Sequence, residues 1–277
     1  MATTTTRRIL QTLTLAALPL LATAATAAPL TEQLHPVLDG AWRSDANRAR
    51  DSYRHPAQTL EFFGLRSDAT VIEITPGAGW YAEILAPLLK ERGHYVAAIV
   101  DPAKAPADRR AYQQGHRDRL TAKFQADAER YGAARIVAFD PQAPQLGEPA
   151  SADFVLTFRN VHNWVKAGTA QPYFNAFFDV LKPGGVLGVV DHRARPGSAP
   201  ETDSGYVPVD EVIQLATQAG FKLDASSEIN ANPKDTKDHP KGVWTLPPSL
   251  ALGAQERDRY LAIGESDRFT LRFVKPQ

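Results

Sequence analysis

From Ala69 onward the chain alternates short apolar runs with amphipathic ones, and that alternation leaves few folds open. ATVIEI (69–74), HYVAAIVD (94–101), ARIVAFD (134–140), DFVLTFRN (153–160), VLGVVDH (186–192), FKLDASSE (221–228) and FTLRFVK (269–275) read as seven strands. They are apolar and alternate only weakly, as strands covered on both faces do. Helices are predicted between them over 79–92, where Pro87 should kink or restart the helix, over 106–132, from Gln171 to a stop at Gly184-Gly185, and over 209–220. In the second of these, Tyr112, His116, Leu120, Phe124 and Ala128 form one stripe at i, i+4 steps. Strands separated by helices imply an α/β doubly wound three-layer sandwich around a mostly parallel sheet. The last two strands are joined by a polar, Pro-rich excursion, about 230–266, rather than by a crossover helix. The seventh strand is therefore expected to run antiparallel, and the excursion is a candidate lid.

The rest of the chain narrows the function classes. Lysine plus arginine equals aspartate plus glutamate, 31 of each, so no global field recruits nucleic acid or anionic membrane. The absence of cysteine excludes thiolate zinc sites, cysteine nucleophiles and disulfides. Seven histidines are scattered without metal-ligand spacing, and no metal site is expected. Residues 1–28 have the layout of an export signal: a cationic lead, an apolar run and a small-residue tract with A-x-A register at Ala25 and Ala27. Periplasmic export is expected, with no mature membrane span, and Arg7-Arg8 permits a twin-arginine route. Residues 29–68 read as a helical N-terminal cap, broken at Pro36 and Pro56, and 69–277 as the main domain.

Pro76-Gly77-Ala78-Gly79 follows the first strand and opens a helix. Glycines there let the backbone approach a ligand, and the helix start offers free N–H groups. Asp101, 22 residues after Gly79, stands where a ribose-binding acid belongs. A dinucleotide loop and a plain tight turn fit the same residues. A carboxylate at Glu73, two residues before the turn, suits a ligand bringing positive charge rather than a pyrophosphate.

With these segments in order, the chain resembles the class I, seven-strand S-adenosyl-L-methionine-dependent methyltransferases. VIEITPGAGWY is similar to their first motif, AIVD to the acid-terminated second strand, IVAFD to the third, DFVLTFRNVHNW to the fourth-strand motif and LKPGGVLGVVDHR to the approach to the fifth. RDSYRHP, PGAGWYAEILAP, FRNVHNW and IGESDRFTLRFVKP together resemble an exported bacterial group of predicted methyltransferases. The resemblance implies a Rossmann-like fold, S-adenosyl-L-methionine as cofactor and a small-molecule methyl acceptor. It also implies Glu73, Gly77 and Gly79 along the methionine and ribose part, Asp101 on the ribose hydroxyls, Asp140 near the adenine amino group and Arg159 on the cofactor side. The family's loop commonly begins with Gly where this chain has Thr75, so Thr75-Pro76 stiffens the turn.

Methyl transfer needs alignment of donor and acceptor, and a base only where the acceptor is protonated. His162, oriented by Asn160, is the candidate base, with a structural histidine at the sheet edge as the other reading. Asp191-His192 is a second candidate pair or a solvated turn. Asp101 before Pro102 also reads as a capping acid and Asp140-Pro141 as a turn, while Trp80 and Tyr81 suit core or cofactor wall. His239 is expected on the lid surface. Two rival functions stay open: a non-catalytic protein that binds a nucleoside-like ligand, and an NAD-dependent oxidoreductase.

Overall fold

The structure, a computed structural model, describes residues 1–3, 28–198 and 203–277. The export leader expected over 1–28 falls on residues 4–27, outside the described residues. Where the helical cap is expected, four short helices run in succession: α1 (Leu30–Leu38), α2 (Asp45–Arg48), α3 (Asp51–Arg54) and α4 (Pro56–Phe62). The alternating part follows as β1 (Thr70–Ile74), α5 (Ala82–Leu89), β2 (His94–Val100), α6 (Arg110–Ala126), α7 (Ala128–Tyr131), β3 (Arg135–Phe139), β4 (Ala152–Phe158), α8 (Val161–Ala167) and α9 (Ala170–Val180). β5 (Leu181–His192), α10 (Val209–Ala219), β6 (Lys222–Ser227), α11 (Arg257–Ile263) and β7 (Arg268–Val274) complete it.

The strand order is β3-β2-β1-β4-β5-β7-β6. The first five strands pair in parallel, and β7 runs antiparallel to both β5 and β6, as the missing crossover predicts. Chain order reverses between β1 and β4, so the crevice at their C-terminal ends is the switch point where ligands bind in open α/β sheets. Alternate residues of β1, β2 and β4 feed opposite cores. Val71, Tyr95 and Phe154 pack beneath α1, α4 and α5 with Leu34, Leu60 and Leu85, while Ile72, Val155 and Leu187 meet Phe174, Phe177 and Val212 on the other face. Each fully buried side chain of this size contributes roughly 1.5–3 kcal/mol relative to exposure.

Three boundaries differ from the sequence expectations. The helix after the glycine loop begins at Ala82, because the left-handed Gly79 cannot belong to it. The long helix breaks at Asp127, whose carboxylate accepts from Arg130 N–H (3.1 Å) and caps α7 as a new start. α9 stops at Val180 rather than at the glycines. Leu181 is already extended and pairs with Ala152, and Pro183 bars the helical conformation to Lys182.

Candidate functional site

Residues 75–81 connect β1 to α5 at the switch point. Thr75 N–H donates to the Ala98 carbonyl (2.7 Å) and ties the loop to β2. Thr75, Gly77 and Gly79 all adopt left-handed backbone, with φ of 45°, 62° and 81°. Gly79 has no room for a side chain, since a Cβ would lie 2.9 Å from Leu120 Cδ1 and 3.2 Å from Ala82 Cβ. Gly77 is open by comparison, its nearest neighbour being the His116 ring at 3.8 Å from such a Cβ, so it serves the turn itself. Thr75 holds the same conformation with a β-branched side chain, a strained arrangement.

Thr75 Oγ1 in this loop is buried with no hydrogen-bond partner among the described residues, while the His116 ring, from α6, faces the Gly77 backbone. A buried polar group is seldom left so, and a polar ligand on the loop would satisfy it. The loop therefore fits a nucleoside-type cofactor. His116 was legible in the sequence only as one position of the α6 stripe. Of that stripe Leu120 and Phe124 are buried and Tyr112 is exposed.

The acids at the neighbouring strand ends share one geometry. Asp101 Oδ1 accepts from Ala103 N–H (3.0 Å) and Asp140 Oδ1 from Gln142 N–H (2.9 Å), each closing a turn over its own proline. Each carboxylate is thereby fixed in direction while its second oxygen remains able to accept. Glu73 stands elsewhere. It shares the α5 side of the sheet with Val71, is 3% exposed, and accepts the Tyr95 hydroxyl at 2.6 Å. Burial pushes its carboxyl up to about 7, against the Tyr95 hydrogen bond and the charges of Arg54 and Lys123. The structure thus gives Glu73 a buried hydrogen bond behind the loop.

Past β4, Arg159 is left-handed (φ 61°) and its N–H donates to the Val190 carbonyl (2.7 Å). Asn160 Nδ2 donates to the Ile74 carbonyl (2.9 Å) and to Thr157 Oγ1 (3.1 Å), which locks the ends of β1 and β4 together. The role of orienting His162 passes from Asn160 to Asp191. Asp191 Oδ1 meets His162 Nδ1 at 3.0 Å, and the same carboxylate accepts the backbone N–H groups of His162 and His192. Burial alone would raise the Asp191 carboxyl, but the His162 ring and these hydrogen bonds hold it below its ordinary value. With Asp191 ionised, His162 Nδ1 carries the hydrogen and Nε2 is left as the basic atom. His192 is buried against Ser266, and burial drives its pKa far down.

His162, Asp191 and His192 bring potential ligand atoms within 4.8 Å of one another, a grouping that separation along the chain conceals. Arg159 and Arg268 bear on the same site and oppose a divalent cation there.

The cap and the C-terminal excursion close this side. Glu265 pairs with Arg50 Nε (2.6 Å), Arg268 Nη1 (3.1 Å) and Arg54 Nε (3.5 Å). Burial opposes its ionisation, yet the arginines hold it down to about 2. Arg54 also lies over the Trp80 ring at 4.5 Å, and Tyr81 stacks on Phe158 at 3.7 Å between ring centroids. Trp80 is thus core, whereas Tyr81, though 4% exposed, lines a narrow space with Phe158, Arg54, Arg159 and Arg268. Asn230 and Arg268 also line a separate cavity of about 180 Å³, beside Tyr53, His55 and Lys234. His239 is not on the surface. It is 9% exposed, with Nε2 on Asp235 (2.9 Å), because Asp235 also gathers the Tyr206 hydroxyl and Asp267 N–H and draws the excursion inward.

No family model and no curated protein matches the chain. Solved structures do. A S-adenosylmethionine-dependent methyltransferase from Aquifex aeolicus superposes with a TM-score of 0.55 over 82% of this chain and 93% of its own, at 16% identity. The [4+2]-cyclase SpnF superposes at 0.55 over 89% and 92%, at 14% identity. These likenesses show the seven-strand methyltransferase fold, and SpnF carries another activity by name on it. No helix among the described residues is long and apolar enough to cross a membrane.

Proposed function

We propose that the chain transfers a methyl group from S-adenosyl-L-methionine to a small-molecule acceptor. The observation that carries this reading is the glycine loop at the β1–β4 switch point, with the unpartnered Thr75 hydroxyl in it and directed carboxylates at the ends of β2 and β3 beside it. Gly77, Gly79, Thr75 and His116 would hold the amino-acid and ribose part, Asp101 the ribose hydroxyls and Asp140 the adenine amino group. When bound, the cofactor supplies a methyl group on a positively charged sulfur, activated for in-line displacement. The protein's own work is to align the acceptor and to exclude water. His162 Nε2 takes the acceptor's proton as the new bond forms. Asp191 fixes the ring's tautomer and stabilises the imidazolium that results. Asp191 is a positioning residue in this scheme, and His162 the base.

Calorimetric titration with S-adenosylmethionine, S-adenosylhomocysteine and NAD tests the reading. Both sulfur nucleosides should bind and NAD should not. Replacing Asp101 with Ala should weaken S-adenosylhomocysteine by about tenfold or more, the worth of a hydrogen bond to a charged group. No heat with either sulfur nucleoside would sink the proposal, and heat with NAD alone would replace it with an oxidoreductase.

A further inference from the structure

Four guanidinium groups, those of Arg50, Arg54, Arg159 and Arg268, converge on one carboxylate, Glu265. Asp191 also bears on Arg159 and Glu73 on Arg54, so the four guanidinium groups still outnumber the carboxylates that face them. Arg54 and Arg268 are 4% and 3% exposed, so water cannot disperse that charge as it would at a surface. The cluster is also short of partners. Among the described residues Arg54 Nη2 and Arg50 Nη2 are buried with no acceptor, and the guanidinium of the half-buried Arg159 has no hydrogen-bond or ion-pair partner. Burial draws Arg54 well below its ordinary value, with Arg159 adding to the effect. Unpaired buried guanidinium forks are costly in isolation, and a planar or tetrahedral oxyanion is the group they match.

Position indicates whose anion it is. Arg54, Arg159 and Arg268 line the narrow space, which Tyr81 and Phe158 give an apolar wall, and Arg268 also lines the 180 Å³ cavity beside it. Arg159 and Arg268 also bear on His192, beside the His162–Asp191 pair. The acids suited to an adenosine lie the other way along the sheet, at β2 and β3. Arg159 follows β4, on the side of the glycine-loop strand away from β2 and β3, Arg54 lies over Trp80 of the loop segment, and Arg268 on β7 extends the cluster away from it.

We propose that this cluster anchors the methyl acceptor, and that the acceptor is a small organic anion whose oxyanion group sits on the free forks of Arg54 and Arg159 beside Arg268 while its nucleophilic atom faces His162. The inference rests on the methyltransferase reading for the word acceptor; the anion site itself does not.

The test uses the full chain with sodium benzoate and sodium phosphate as probes, against sodium chloride at equal ionic strength. Either probe should raise the melting temperature of the wild-type chain, with or without S-adenosylhomocysteine. Calorimetry should show probe affinity falling about tenfold or more in Arg159→Gln, with Arg159→Lys retaining part of it, while S-adenosylhomocysteine affinity stays within about twofold. If both probes leave the wild-type melt unchanged relative to chloride, the proposal is overturned while the methyltransferase reading stands, and this needs no variant to fold. If Arg159→Gln weakens S-adenosylhomocysteine tenfold but leaves methylthioadenosine unaffected, the cluster clamps the cofactor's own carboxylate and the proposal is likewise overturned. If the probes bind and neither sulfur nucleoside does, the anion site is upheld and methyl transfer is the part that fails.

Discussion

At the ends of β2 and β3, Asp101 and Asp140 each give one oxygen to an N–H two residues ahead. At the other side of the same sheet edge, Arg50 reaches Glu265, and Arg268 reaches the Tyr53 carbonyl, across 215 residues of sequence. The first region is set by local turns and left-handed glycines. The second exists only when the N-terminal cap and the C-terminal excursion dock on the finished sheet. The difference teaches where each region is vulnerable: backbone conformation governs the loop side, and charge balance governs the arginine side.

The largest expected effect lies on the arginine side. Glu265→Gln removes the one carboxylate among the described residues that forms ion pairs with the cluster and should cost about 3–5 kcal/mol, the usual penalty for leaving buried charge uncompensated. In a domain of this size that lowers the melting temperature by roughly 10 °C, and phosphate should restore part of the loss. A melt unchanged from wild type would mean that water already neutralises the cluster, and would break the contrast.

A smaller effect separates Glu73 from both regions. Its folded carboxyl titrates at about 7, above its ordinary 4.5. A raised carboxyl contributes stability in full below the unfolded value, and that contribution is lost as pH rises towards and through 7. Glu73→Gln should therefore gain on wild type between pH 5 and pH 8, by about 1–3 kcal/mol at the upper end. Scanning calorimetry at the two pH values checks it. A difference that does not change with pH would place the carboxylate in contact with water at the loop, where the family resemblance puts it.

The smallest effect sharpens the loop side. Thr75→Gly relieves a β-branched residue at φ 45° and a buried unpartnered hydroxyl. It should stabilise the unliganded chain by about 1 kcal/mol, a rise of a few degrees in the melt, while weakening S-adenosylhomocysteine through loss of the hydroxyl that faces it. An unchanged affinity would show that Thr75 Oγ1 does not meet the cofactor and that the loop holds it through backbone groups alone.

The sequence made the sheet legible because strand and helix periodicities act within a few residues, as in VIEI or DEVIQLATQA, and the missing crossover before FTLRFVK foretold the antiparallel strand. It was less informative wherever a residue's partner lies far along the chain. Asn160 is the near neighbour of His162 in sequence, yet β4 and β5 lie side by side and bring Asp191 to the ring. His239 sits in a polar, Pro-rich stretch that reads as surface, and Asp235 buries it through bonds to Tyr206 and Asp267.

What the sequence determined by itself was the order of strands and helices, the glycine turn and the acids that end β2 and β3, because each depends on neighbours in the chain. What only the tertiary structure decided was the pairing of His162 with Asp191 and the gathering of four arginines around Glu265. Those depend on which strand ends and loops pack together, and no local pattern records the distance that packing closes.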